Sequence, residues 1–129
     1  MTGQSCMTKV KICGLRHPEQ ARIACAAGAD AIGLVFYEKS PRAVTMRTVR
    51  EIITKLPPLV DTVGVFVNES AERVNKIADY CGLDLVQLHG EESPAFCRKI
   101  QRRVIKAFRV KDLQSVKQLE KYSVSGYLL

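Results

Sequence analysis

The chain has 129 residues, enough for one ordinary domain and too few for two. Apolar residues make up 47% and charged residues 26%, the balance of a globular chain with a core, and no apolar run nears the roughly 18 residues that span a bilayer. The net charge of +7 admits a weak nucleic-acid surface, but Trp is absent and the four Phe and four Tyr are scattered, so the interleaved aromatics of a single-strand binder are missing.

Residues 1–8 are short and polar and lack the apolar stretch of a secretory signal. They read as a frayed end ahead of a domain over 9–129. The first apolar run, 9–13, reads as a strand. A helix opens at Pro18, a good first helical residue, and ends near Gly28. A second strand, 31–36, leads into the polar loop Glu38–Arg42. Thr45 then caps a helix carrying Val49, Ile52, Ile53 and Leu56 at helical spacing, stopped by Pro57-Pro58. Strand 62–67 follows. Ser70 opens a helix with Val74, Ile77, Ala78 and Cys81 on one face, and Gly82 ends it. Strand 85–89 precedes a helix with Ser93 as cap and Pro94 behind it. Strand 104–109 precedes a helix that begins at Asp112 and runs through Leu113, Val116 and Leu119. A sixth strand takes 126–129.

Five β-α units and a last strand thus repeat about every 23 residues, and helical crossovers force parallel pairing with right-handed connections. Two architectures fit, a doubly wound open sheet and a closed eight-stranded barrel. The glycine-rich dinucleotide turn is missing, since Cys13-Gly14-Leu15-Arg16-His17-Pro18 is not GxGxxG, and there is no Walker-type loop. Cys13, Glu38–Arg42, Asn68 and His89 all fall at or just past carboxyl ends of strands, where barrel enzymes place their chemistry; an open α/β sheet obeys a related rule, so this pattern favours the barrel without excluding the sheet. The fold class expected is α/β, a parallel (β/α)8 barrel of which six strands and five helices are present. Eight such units need roughly 185–200 residues, so the barrel is expected to be incomplete within 129.

The five cysteines are Cys6, Cys13, Cys25, Cys81 and Cys97. No pair forms CxxC, and with only His17 and His89 there is no zinc-type cluster, so no metal is expected and a reduced, cytoplasmic protein is the better reading. Cys25, Cys81 and Cys97 lie on apolar helix faces and read as inert core residues. The basic cluster Arg98, Lys99, Arg102, Arg103 and Lys106 reads as a solvated helix end, with a nucleic-acid surface as the weaker alternative.

Three residues are candidates for chemistry. Cys13 ends the first strand before Gly14 and a helix, with Lys11 on the same strand face. Nearby N–H groups and the lysine favour the thiolate, which serves as nucleophile or base. A structural cysteine is the alternative. Arg42, after Ser40-Pro41, offers a donor fork suited to a carboxylate or phosphate, against a simple solvated charge. His89 shares a strand face with Gln87 and either looks into a pocket or orders its loop.

Four segments together resemble the phosphoribosylanthranilate isomerase family: Lys11-Ile-Cys-Gly-Leu15, Gly33-Leu-Val-Phe-Tyr37 leading to Ser40-Pro-Arg42, Gly64-Val-Phe-Val-Asn68, and Val86-Gln-Leu-His-Gly-Glu91. They stand in the family's order and spacing, over essentially all of 9–129. The resemblance implies a cofactor-free Amadori rearrangement of N-(5-phosphoribosyl)anthranilate in tryptophan biosynthesis, in an enzyme that is a monomer or homodimer. It implies that Cys13 is the general base, that Arg42 binds the anthranilate carboxylate and that His89 lies at the substrate pocket. It also implies a general acid, an aspartate directly after strand six, and a phosphate site after strands seven and eight. None of these lies within the 129 residues. A polypeptide ending at Leu129 is therefore expected to be inactive and prone to self-association. The alternatives are another phosphate-sugar barrel isomerase or epimerase, whose usual carboxylate pair is not seen here, and a non-catalytic barrel fragment.

Overall fold

The computed structural model describes residues 7–129. Cys6 and most of the segment expected to fray lie outside the described residues. The elements run β1 Lys11–Cys13, α1 Pro18–Ala26, β2 Ala31–Val35, α2 Met46–Thr54, β3 Asp61–Phe66, α3 Ala71–Cys81, β4 Leu85–Leu88, α4 Pro94–Cys97, β5 Arg103–Ala107, α5 Leu113–Lys117 and β6 Gly126–Leu128, with a 3-10 turn, Gln118–Lys121, after α5.

Local sequence explains where the helices start. The side chains of Thr45, Ser70, Ser93 and Asp112 accept hydrogen bonds from the N–H groups of Thr48, Arg73, Phe96 and Ser115. Each satisfies a donor that the first helical turn leaves without a partner. Two helices are short: α4, whose end the sequence does not mark, and α5, which stops before the Leu119 its pattern reaches. α4 stops at Cys97 because Asn75 of α3 intervenes: its amide donates to Lys99 O at 2.9 Å and accepts from Gln101 N at 2.8 Å. Those backbone groups are diverted from a continuing helix, and Ile100 turns into the core. α5 tightens into the 3-10 turn, with Leu113 and Val116 exposed.

The six strands form one parallel sheet in chain order, each paired with its sequence neighbour. α1 to α4 supply Ala21, Ala24, Val49, Ile52, Val74, Ile77 and Cys97 to a core shared with Ile32, Leu34, Phe66, Val86, Leu88 and Val104 from the strands. The order never reverses as a doubly wound sheet's does. This is the six-stranded part of a curled (β/α) barrel. On the opposite face of the sheet the register sets Cys13, Gly33, Val63 and Leu85 in one row, and Val65, Gln87 and Ile105 in the next.

The basic cluster is not one solvated helix end. Arg102 donates to Leu83 O and pairs with Asp79 at 2.8 Å, and Lys106, on β5, is 2% exposed. Arg98, Lys99 and Arg103 are exposed. No helix among the described residues is long and apolar enough to cross a membrane.

Candidate functional site

The carboxyl ends of β1 to β5 bring the site together. Cys13 ends β1 with its thiol exposed. Its neighbour across the ladder is Gly33, and a Cβ placed there would stand 2.5 Å from Sγ. Any side chain at 33 collides with the thiol, so glycine is what leaves the sulfur its room. Gly14 follows with φ +84, a conformation glycine adopts without strain. This turn sends the N–H groups of Gly14 and Leu15 to the carbonyl of Gly33, at 2.9 and 3.3 Å. Both amides are thus committed to the backbone, and the helix that follows opens only at Pro18. The expected support of the thiolate by adjacent N–H groups is not provided by these two.

Arg42 lies across the same turn. Its aliphatic stem packs near Gly14 and Nη1 donates to Gly14 O at 3.4 Å. The loop that carries it is tied down at three points. Ser40 Oγ accepts from Arg42 N, Arg16 donates to Pro41 O, and Ala43 bridges to Val35. The guanidinium is exposed, with donors to spare.

His89 follows β4 and is joined to β1 through Gln87. Lys11 Nζ donates to Gln87 Oε1, and Gln87 Nε2 lies 3.2 Å from His89 Nδ1. Lys11 and Cys13 share a strand face, so β1 carries both the thiol and one end of this chain of contacts. Burial, then Lys106, Arg109 and Lys11, hold the His89 pKa below its ordinary value, opposed by Glu92. His89 lines a hollow of about 530 Å³ with Asn68, Phe108, Arg109 and Tyr122. Arg42 borders a different hollow, about 390 Å³, beside Ile12, Leu15 and Ile23 of the β1–α1 region. Cys13 and Arg42 are therefore close together, and His89 is linked to them through Gln87 and Lys11.

Beneath the His89 turn lies a network that the sequence reading missed. Lys106 and Glu92, each 2% exposed at the side chain, pair at 3.2 Å. Lys106 also donates to the carbonyls of Leu88, Gly90 and Ala107. The Glu92 carboxylate accepts from Asn68 N and Gly90 N, at 2.8 and 2.9 Å. Asn68, at φ 50, accepts from Glu91 N through its side chain. The corners after β3 and β4 are thus fixed to each other and to β5. A signal was present: Lys106 sits between Ile105 and Ala107 in an apolar strand, in phase with Val104, which faces the core.

Cys81 and Cys97 are buried, and burial raises both thiol pKa values, as inert core residues require. Among the described residues no group of three or more His, Cys, Asp and Glu side chains is placed to hold a metal ion.

Comparison with known proteins bears on this geometry. The family model for N-(5'phosphoribosyl)anthranilate (PRA) isomerase matches residues 10–129. The N-(5'-phosphoribosyl)anthranilate isomerase of Citrifermentans bemidjiense is 58% identical over 123 residues, 95% of this chain and 60% of that protein. The enzyme of the same name from Geotalea uraniireducens is 56% identical over 123 residues, covering 95% and 61%. The crystal structure of phosphoribosyl anthranilate isomerase from Thermotoga maritima superposes with a TM-score of 0.85 at 45% identity, over 88% of this chain and 56% of that one. A structure of phosphoribosyl anthranilate isomerase in complex with reduced 1-(O-carboxyphenylamino)-1-deoxyribulose 5-phosphate also gives 0.85 at 45% identity, over 88% and 59%. The chain spans about 60% of the length of the curated relatives it matches. With four motifs, a consecutive parallel sheet and a family match over 10–129 in agreement, the chain belongs to the N-(5'-phosphoribosyl)anthranilate isomerase family.

Proposed function

We propose that the whole protein isomerises N-(5-phosphoribosyl)anthranilate to 1-(2-carboxyphenylamino)-1-deoxyribulose 5-phosphate in tryptophan biosynthesis, in the cytoplasm. The observation that carries the reading is the exposed Cys13 thiol, given its space by Gly33, with the Arg42 guanidinium held over the adjacent turn. In the reaction, protonation of the ribose ring oxygen opens the ring and yields a Schiff base. A base then removes the C2 proton, and the resulting enolamine tautomerises to the ketone. Cys13 is the proposed general base, as a thiolate whose proton acceptor is the sulfur itself. Arg42 is proposed to hold the anthranilate carboxylate, a charge that persists from substrate to product. His89 is proposed to border the sugar. The substrate is a phosphorylated small molecule, and the reaction as written needs no redox partner, because it moves protons and a double bond within one molecule.

The family resemblance assigns the general acid to an aspartate following strand six and the phosphate to loops after strands seven and eight. Neither is among these 129 residues, so a polypeptide of these residues alone is proposed to be inactive and to self-associate. Complementation tests the reading: the gene for the whole protein should restore growth of a tryptophan auxotroph lacking this isomerase, and its Cys13→Ala form should not. Soluble, well-expressed protein that leaves the auxotroph dependent on tryptophan overturns it.

A further inference from the structure

The contacts between β1 and β4 determine more than position. Lys11 Nζ carries only donors, so the Gln87 atom that meets it is the carbonyl oxygen, Oε1. That choice orients the amide. Its NH2 group is left facing His89 Nδ1 at 3.2 Å, and an NH2 group can only donate. Nδ1 must then accept, which places the single proton of a neutral imidazole on Nε2. Turning the amide over would set NH2 against ammonium, and protonating Nδ1 would set N–H against NH2. Gln87 is 2% exposed, so its amide is held among protein atoms, while His89 itself is exposed on the side that meets the hollow. The structure gives Nε2 no protein partner among the described residues, and the ring lines the 530 Å³ hollow.

We propose that Gln87, oriented by Lys11, is a positioning residue that holds His89 as a neutral imidazole protonated on Nε2, so that the hollow receives a hydrogen-bond donor. The ligand group it suits is an acceptor oxygen such as a hydroxyl, ring ether or carbonyl. That such an oxygen belongs to the substrate's sugar rests on the isomerase reading; the tautomer does not. The surroundings act in the same direction. Burial and the cations Lys106 and Arg109, from β5 and the loop after it, and Lys11, from β1, disfavour the imidazolium. Glu92 alone opposes them, and it is already engaged by Lys106 and two backbone amides.

The test uses the whole protein labelled with 15N-histidine; His17 and His89 are the histidines of residues 1–129, and the signal lost in His89→Asn assigns that ring. His17 is exposed and serves as the internal reference. Imidazole 15N shifts at pH values where both rings are neutral should show the His89 proton on Nε2 and Nδ1 as an acceptor. Gln87→Glu places an acceptor against Nδ1. It should move the proton to Nδ1 and raise the His89 titration midpoint by about one unit or more. Lys11→Met frees the amide to turn, and the His89 shifts should move toward a mixture of both tautomers. Circular dichroism confirms that each variant is folded, and the wild-type measurement stands even where a variant is not. A wild-type proton on Nδ1 overturns the proposal, as does a folded variant whose His89 spectrum is unchanged. An Nε2–H tautomer, together with failure of the whole protein's gene to restore the tryptophan auxotroph, leaves this inference standing and removes the isomerase reading instead.

Discussion

Glu92→Ala should be among the most damaging single changes in the chain. The substitution removes the acceptor for two backbone amides, Asn68 N and Gly90 N. A fully buried donor left without a partner costs about 1–3 kcal/mol, and these part-buried amides fall toward the lower end. It also strands Lys106, 2% exposed, with carbonyl contacts but no counter-charge. Breaking a buried pair from one side costs about 3–5 kcal/mol. The two estimates overlap, because both count the loss of one carboxylate, so about 4–6 kcal/mol is expected in all. A domain of this size has about 5–15 kcal/mol in total. Lys106→Met keeps the carboxylate on its two amides and should cost less, about 3 kcal/mol. The double variant, with no unpaired charge, should cost less than the sum of the two. Urea unfolding followed by circular dichroism, at two protein concentrations to separate folding from association, gives these values. A Glu92→Ala cost below about 1 kcal/mol, or strict additivity in the double variant, would refute the reasoning.

Gly33→Ala should fold with a cost of about 1–3 kcal/mol for overpacking, yet lose most turnover of the whole enzyme, because its Cβ would stand 2.5 Å from the Cys13 sulfur and push it aside. Steady-state assay beside thermal unfolding separates the two effects, and near-normal turnover would sink the thiol assignment. Arg42→Ala should act mainly on KM, since the carboxylate it is proposed to hold persists through the reaction; a fall in kcat with KM unchanged would count against it. The lowered His89 pKa means that the folded chain binds fewer protons than the unfolded one between that lowered value and about 6.5. This contribution is fully present above about pH 6.5 and is lost as pH falls through the folded-state value; His89→Asn should flatten that part of the stability–pH curve, and an unchanged slope would contradict the assignment. Sedimentation of the 129-residue polypeptide should show concentration-dependent association, because β1 and β6 each pair on one side only among the described residues and Ile12, Tyr127 and Leu128 stay exposed. A cooperatively folding monomer would oppose it.

What was legible in the sequence was local chemistry with a period. The caps Thr45, Ser70, Ser93 and Asp112 are short-range signals, and each caps the helix it was expected to open. Parallel pairing with right-handed crossovers followed from spacing, but the consecutive strand order did not, because a doubly wound sheet has the same spacing; the four family motifs pointed to the barrel. The ends of α4 and α5 were not legible. α4 ends through Asn75, which is 24 residues from Lys99 in the chain and gives no local signal. The candidate site divides in the same way. Cys13, Arg42 and His89 stood out by position at strand ends. The Lys106–Glu92 pair did not, because counting Lys106 with its basic sequence neighbours hid the strand alternation that turns it inward. The commitment of the Gly14 and Leu15 amides to Gly33 was invisible as well, since it depends on a backbone turn rather than on residue type.

The consecutive strand order has a consequence for synthesis on the ribosome. Within these residues β1 pairs with β2, β2 with β3, and so on to β6, so each strand finds a partner in the next one translated. Among these six, no strand waits for a distant segment to fill a gap inside the sheet, as the first strand of a doubly wound sheet must. Loop closure for each new pairing spans one β-α unit, which keeps its entropy cost nearly constant along the chain. Growth can then be vectorial, with the strand bearing the thiol among the first to find its neighbour and the corner under His89 completed only when β5 delivers Lys106.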